Sequence, residues 1–213
     1  MLFIFLSTLV SFNSNLLPDL FSSLPPSSSI SEVNYDYEPT KTLIADLQKG
    51  GYVIFFRHTA TDMKQKDHDP NLENCDGQRN LNQKGKEEAQ QIGAAFRRFN
   101  IPVGKVLSSP FCRTLETAQI AFGKATKSEA LLSVFYDHNK NPTIIQSFTK
   151  LLRTMPSDAT NTILVGHGVN LDTALEITLK EGGAAIFKPK PDSSFALVSQ
   201  IQEVKEWEEL TSK

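Results

Sequence analysis

Two apolar runs in this chain end in a histidine: Val53-Ile54-Phe55-Phe56-Arg57-His58 and Ile163-Leu164-Val165-Gly166-His167-Gly168. The chain has only four histidines, so two in one kind of setting carry weight. Either alone reads as readily as a hydrogen-bonded core or loop residue. Together with Arg57 they suggest chemistry, because an imidazole can attack phosphorus or carry a proton, and a guanidinium fork offers paired charged donors to an oxyanion. Arg113 stands in the first turn of an expected helix, where free backbone N–H groups also favour an anion. Two imidazoles, two guanidinium groups and a helix terminus suit a phosphate dianion, and the chemistry they suit is phosphoryl transfer.

The surrounding pattern must bring these residues together from 109 positions apart. Residues 52–56 form a solid apolar run, read as a central strand buried on both faces. A short helix over 42–49, closed by Gly50-Gly51, precedes it. Residues 81–99 carry Ala89, Ile92, Phe96 and Phe99 at helical spacing, with Asn82 as the expected cap. A short strand at 105–107 leads through Ser108-Ser109-Pro110 into a helix over 111–122, which Gly123 ends. A weaker helix over 143–152, a strand at 162–165 and a helix from Gly168 through about Leu179 follow. Strands at 185–187 and 195–201 complete the outline, the last alternating as an edge strand does. The class is α/β: a mixed, mostly parallel central sheet with helices on both faces, whose strand ends at His58 and His167 are where such folds bind ligands.

Length and charge limit the alternatives. The 213 residues suit one domain over 41–213; 22 Lys and Arg stand against 24 Asp and Glu, and no basic run resembles a nucleic-acid footprint, so no nucleic-acid partner is expected. Residues 1–15 are read as a signal or hydrophobic segment and 16–40 as a Ser/Pro-containing linker. The expected location is therefore periplasmic or extracellular, with a cytoplasmic location the alternative. Ser11, Asn13 and Asn15 interrupt the apolar stretch too early for a membrane span, so anchoring is not favoured. Cys75 and Cys112 are too few for a zinc site or a disulfide scaffold, though one bridge between them could pin the 67–80 loop over the pocket. No metal-ligand spacing stands out and no cofactor is called for. No Cys-x5-Arg phosphate loop is present.

These residues give the chain a resemblance to the histidine phosphatase superfamily, which includes phosphoglycerate mutases and small broad-range phosphatases. Arg57-His58-Thr59 resembles its Arg-His-Gly signature, with Thr59 in place of glycine. Ser109-Pro110 with Arg113, Thr117 and Ala118 resembles its Ser-Pro, Arg, Thr-Ala segment. Gly166-His167-Gly168 resembles its second-histidine motif, and Leu81 with Gly85 its Leu-Thr-x-x-Gly helix opening. The resemblance implies a phosphoglycerate mutase-like fold and a phosphomonoesterase acting on a small phosphorylated molecule, without a metal. It makes His58 the nucleophile and His167 a stabiliser of the transferring group, with Arg57 and Arg113 clamping the oxygens. Thr59 and Gly168 are expected beside the phosphate, and Arg79 and Asn170 on the rim.

The general acid is the open position. Asp137, 24 residues past Arg113, is the first candidate, and Asp62, Asp172 and Glu181 compete with it. Two other functions fit the same residues: a phosphoglycerate-type mutase, and a phosphate-ligand binding protein with little turnover.

Overall fold

A computed structural model describes residues 36–37, 42–68, 70–136, 141–157 and 159–210. The expected segment 1–15, nearly all of the linker 16–40, and Asp137 lie outside the described residues.

One seven-stranded sheet runs through the domain. Its strands are β1 (Asp36–Tyr37), β2 (Val53–Arg57), β3 (Val103–Ser108), β4 (Thr126–Lys127), β5 (Asn161–Gly166), β6 (Ala184–Pro189) and β7 (Phe195–Ile201), in the order β1-β7-β6-β2-β5-β3-β4. β2 pairs in parallel with β5 and antiparallel with β6, and β5 pairs in parallel with β3. The strand of the nucleophile candidate is therefore interior, and the sheet is mixed.

Alternation along β2 divides the core. Ile54 and Phe56 join Ile92 and Phe96 of α2 (Gln83–Arg98), Ala118 of α3 (Cys112–Phe122), Leu43 and Leu47 of α1 (Leu43–Lys49), and Trp207 of α6 (Glu206–Glu209). Val53 and Phe55 face the other way, toward Phe148 and Leu152 of α4 (Asn141–Arg153) and Leu171 and Leu175 of α5 (Gly168–Leu175). Period-two alternation feeds two helical layers from one strand. The expected cap of α2 is present, since the Asn82 side chain accepts the Gly85 N–H at 2.8 Å.

Three expectations change. The 195–201 strand is not an edge: β1 pairs with it in parallel, and Phe195, Ala196, Leu197 and Val198 are all buried, so its alternation did not mark a solvent face. The helix after His167 stops at Leu175 rather than Leu179. Glu176 adopts a left-handed φ of 57° and its N–H closes on the Asp172 carbonyl, freeing Ile177 and Leu179 to pack back into the core. The 105–107 strand is longer, from Val103 to Ser108. The short β1, β4 and α6 carry too little periodicity to be read from sequence.

Candidate active site

Register delivers the two histidines. Arg57 of β2 lies opposite Gly166 of β5, so the next residues, His58 and His167, leave the sheet side by side. The His58 N–H donates to the Gly166 carbonyl at 3.1 Å. Their ring centroids are 5.8 Å apart at 66°. β3 adds a third support: Ser109 N–H donates to Val165 O at 2.9 Å, which places the Ser109 hydroxyl 2.9 Å from His167 Nε2. Both imidazoles are almost closed off, His58 at 2% and His167 at 4% exposure.

Neighbours decide which ring nitrogens carry protons. His58 Nδ1 lies 3.0 Å from the Thr59 carbonyl oxygen, an acceptor only, so Nδ1 bears the hydrogen and Nε2 keeps its lone pair. His167 Nδ1 faces Arg113 Nη2 at 3.5 Å, a donor only, which leaves Nε2–H to donate to Ser109. Burial, then the Arg113 charge, hold His58 well below the ordinary imidazole value, with Arg57 and Arg79 adding to the effect and the Thr59 carbonyl opposing it. Burial, Arg113 and His58 do the same for His167. Both rings are neutral near pH 7, as a nitrogen nucleophile requires.

Three guanidinium groups surround them. Arg57 Nη1 donates to the Leu179 carbonyl at 2.8 Å, and a Cβ at Gly168 would come within 3.0 Å of Arg57 Cδ. Gly168 thus makes room for the arginine. Arg113, 4% exposed, lies over the Phe111 ring at 4.4 Å, and Phe111 packs edge-on against His167 at 5.0 Å. Arg79 lies 3.8 Å from Glu181 Oε1, which is also 3.7 Å from Arg57 Nη2 and 4.0 Å from His58 Nδ1. Thr61 fixes that carboxylate from its N–H and its hydroxyl at 3.1 and 2.8 Å. The Nε atoms of Arg57, Arg79 and Arg113 are buried without a hydrogen-bond partner among the described residues. Burial lowers the pKa of Arg57 and of Arg113, with Glu181 and Asp67 respectively opposing it.

The expected site residues separate on this geometry. His58, His167, Arg57, Arg113 and Arg79 converge. Thr59 does not turn toward the pocket: its hydroxyl lies 3.1 Å from Thr117 Oγ1, whose own proton goes to the Arg113 carbonyl, so Thr59 donates into α3. Its φ is not positive, so threonine is accommodated where the family has glycine. Asn170 is not on the rim. It is fully buried, donates to Leu132 O at 2.6 Å and accepts Val134 N–H at 3.3 Å, tying α5 to the 131–134 segment. Asp172 is exposed and bonded to Thr178, while Asp62 accepts the Lys64 N–H. Asp67 is the residue that sequence reasoning missed. Its carboxylate takes both Nη groups of Arg113, at 2.9 and 3.1 Å, and accepts the Arg79 N–H at 2.9 Å. A pair 46 residues apart leaves no local mark in the sequence.

The loop carrying Asp67 and Arg79 is tied to α3. Cys75 and Cys112 form a disulfide with Cα atoms 5.7 Å apart, and Gln78 Oε1 accepts the Cys112 N–H at 2.8 Å. The bridge lies one residue from Arg113.

Residues 53–133 match the family model of the histidine phosphatase superfamily (branch 1). That stretch runs from β2 to just past the 3₁₀ turn Glu129–Leu131. His58, Arg79 and Arg113 lie inside the matched stretch, while His167 lies beyond it and is supplied by the β2–β5 register. The fold resembles the protein histidine phosphatase SixA solved with tungstate, at 12% identity and a TM-score of 0.52, over 71% of this chain and 96% of that one. It also resembles a protein of Nakamurella multipartitia assigned as phosphohistidine phosphatase SixA, at 16% identity and a TM-score of 0.50, over 72% and 96%. At these identities the likeness concerns the fold. Comparison with curated proteins found no match. Among the described residues no three His, Cys, Asp or Glu side chains group as a metal site, and no helix is long and apolar enough to cross a membrane.

Proposed function

We propose that this chain is a phosphomonoesterase that works through phosphohistidine at His58 on a small phosphorylated molecule. The observation that carries this reading is the convergence of three guanidinium groups, each with a buried Nε that lacks a hydrogen-bond partner among the described residues, on a neutral imidazole whose Nδ1 is tied to a carbonyl. Arg57, Arg79 and Arg113 suit the oxygens of a dianion, and His167 Nδ1, once protonated, can donate to one of them. The His58 Nε2 lone pair forms the N–P bond as the P–O bond to the leaving group breaks. The leaving oxygen takes up a proton. Water then attacks phosphorus, releasing inorganic phosphate and restoring the His58 lone pair.

Glu181 is assigned the proton transfers, because it stands beside His58 and the guanidinium groups of Arg57 and Arg79 while Asp62 and Asp172 are bonded elsewhere. Asp137 remains the competing donor. Radiolabelled phosphomonoester should leave acid-labile, base-stable label on wild type and none on His58→Ala, with p-nitrophenyl phosphate turned over only by the former. Label surviving the substitution would remove His58 as the nucleophile. Tight phosphate binding without turnover would establish a binding protein, and return of the phosphoryl group to a second hydroxyl a mutase.

A further inference from the structure

The fork of Arg113 is already engaged by an acid of the chain itself. Asp67 presents two oxygens to two Nη donors, at 2.9 and 3.1 Å, in the bidentate geometry an arginine uses for a phosphate. Arg113 is almost wholly buried, whereas the Asp67 side chain is 36% exposed, so the carboxylate is the partner able to leave. Its segment is held close from the far side. The Cys75–Cys112 bridge and the Gln78–Cys112 bond fasten the loop to the first turn of α3, and the Arg79 N–H holds Asp67 Oδ1. A tethered carboxylate acts at a high effective concentration.

We propose that Asp67 is a built-in competitor for the phosphate fork, displaced from Arg113 by the incoming substrate, and that the disulfide sets the strength of this competition. The proposal rests on the phosphate-site reading above. Every ligand that uses the fork faces the same displacement, so weakly held monoanions fall below useful affinity while dianionic monoesters remain above it. Substrate entry is then coupled to movement of the loop that carries Arg79, which swings with Asp67 as the carboxylate leaves.

The test is calorimetric titration of the full chain with inorganic phosphate. Asp67→Asn should bind phosphate roughly tenfold or more tightly than wild type, because the amide is a weak competitor for a guanidinium. Asp62→Asn removes the same charge from the same loop, but from a carboxylate bonded to the Lys64 N–H, and should change affinity far less. The double variant Cys75→Ser, Cys112→Ser should tighten binding in the wild-type background and have little effect when Asp67 is already Asn. Unchanged or weaker binding by Asp67→Asn would overturn the proposal, as would equal gains from Asp62→Asn and Asp67→Asn, which would reduce the effect to general charge. Equal effects of the cysteine pair in both backgrounds would remove the disulfide from it. Absence of phosphate binding in every variant would instead overturn the phosphate site itself.

Discussion

The Nδ1 of His58 lies 3.0 Å from the carbonyl oxygen of Thr59, the residue that follows it. This contact fixes the ring and directs Nε2 away from the backbone. A neutral His58 also gives a pH signature. Its folded pKa lies below the unfolded value, so lowering the pH through about 6.5 protonates the unfolded chain first and costs stability; His167 behaves alike. Stability of the ligand-free protein should therefore fall as pH drops below about 6.5 and be fully present above it. Denaturant titrations from pH 7.5 to 5 should show this slope reduced in His58→Gln, His167→Gln. A slope unchanged in that variant would assign it to other groups.

The proton donor is separable by leaving group. Glu181→Gln should slow hydrolysis of an alkyl phosphate by roughly 10²-fold or more and of p-nitrophenyl phosphate much less, because a phenolate of low pKa leaves unprotonated. Equal losses would give Glu181 a role in positioning Arg57 and Arg79. If Asp137→Asn shows the contrast and Glu181→Gln does not, the donor is Asp137.

Gly85 tests how the loop after His58 is braced. A Cβ there would lie within 2.0 Å of the Ala60 carbonyl oxygen, two residues past His58, and that oxygen also accepts the Asn82 N–H. Gly85→Ala must push α2 off the loop, and we expect it to cost about 2–4 kcal/mol and to lower kcat for p-nitrophenyl phosphate. A stable, fully active variant would show the loop can yield.

Trp207 supplies a second stability test. It is fully buried, stacked on Phe56 at 5.8 Å and tilted against Phe96 at 5.1 Å, with Nε1 lacking a hydrogen-bond partner among the described residues. Trp207→Ala should cost about 3–5 kcal/mol. Trp207→Phe should cost clearly less, since it also removes an unsatisfied donor. Similar losses in both would show that indole volume alone decides.

The disulfide closes a span of 37 residues. In the chain-entropy account such a link is worth about 4 kcal/mol. Unfolding of Cys75→Ser, Cys112→Ser should reveal a loss of up to that size, and a loss near zero would mean that the loop is ordered by Gln78 and Asp67 without it.

Much of this arrangement was legible because it is periodic or local. The strands ending in His58 and His167 are continuous apolar runs, and the Asn82 cap and Gly123 stop are one-turn signals. What escaped depends on distant partners. Thr59 turns to Thr117 and Asn170 to the 131–134 segment because α3 and the 3₁₀ turn Glu129–Leu131 pack where they do, which neither tripeptide records. The Asp67–Arg113 pair arises from the path of an aperiodic loop. Phe195–Ile201 misled because alternation signals an open face only when no further strand or helix covers it.

The position of β2 has a consequence for how the molecule comes apart. Its backbone is hydrogen-bonded on both sides, to β5 and β6, whereas residues 63–68 and 70–77 are held mainly by side-chain bonds and one covalent bridge. Amide protons of Ile54 to Phe56 should exchange only when the whole domain unfolds, and those of the loop through local openings. Fluctuations at the mouth can thus release and recapture a ligand many times during the lifetime of one folded molecule without shifting His58 from its place beside His167.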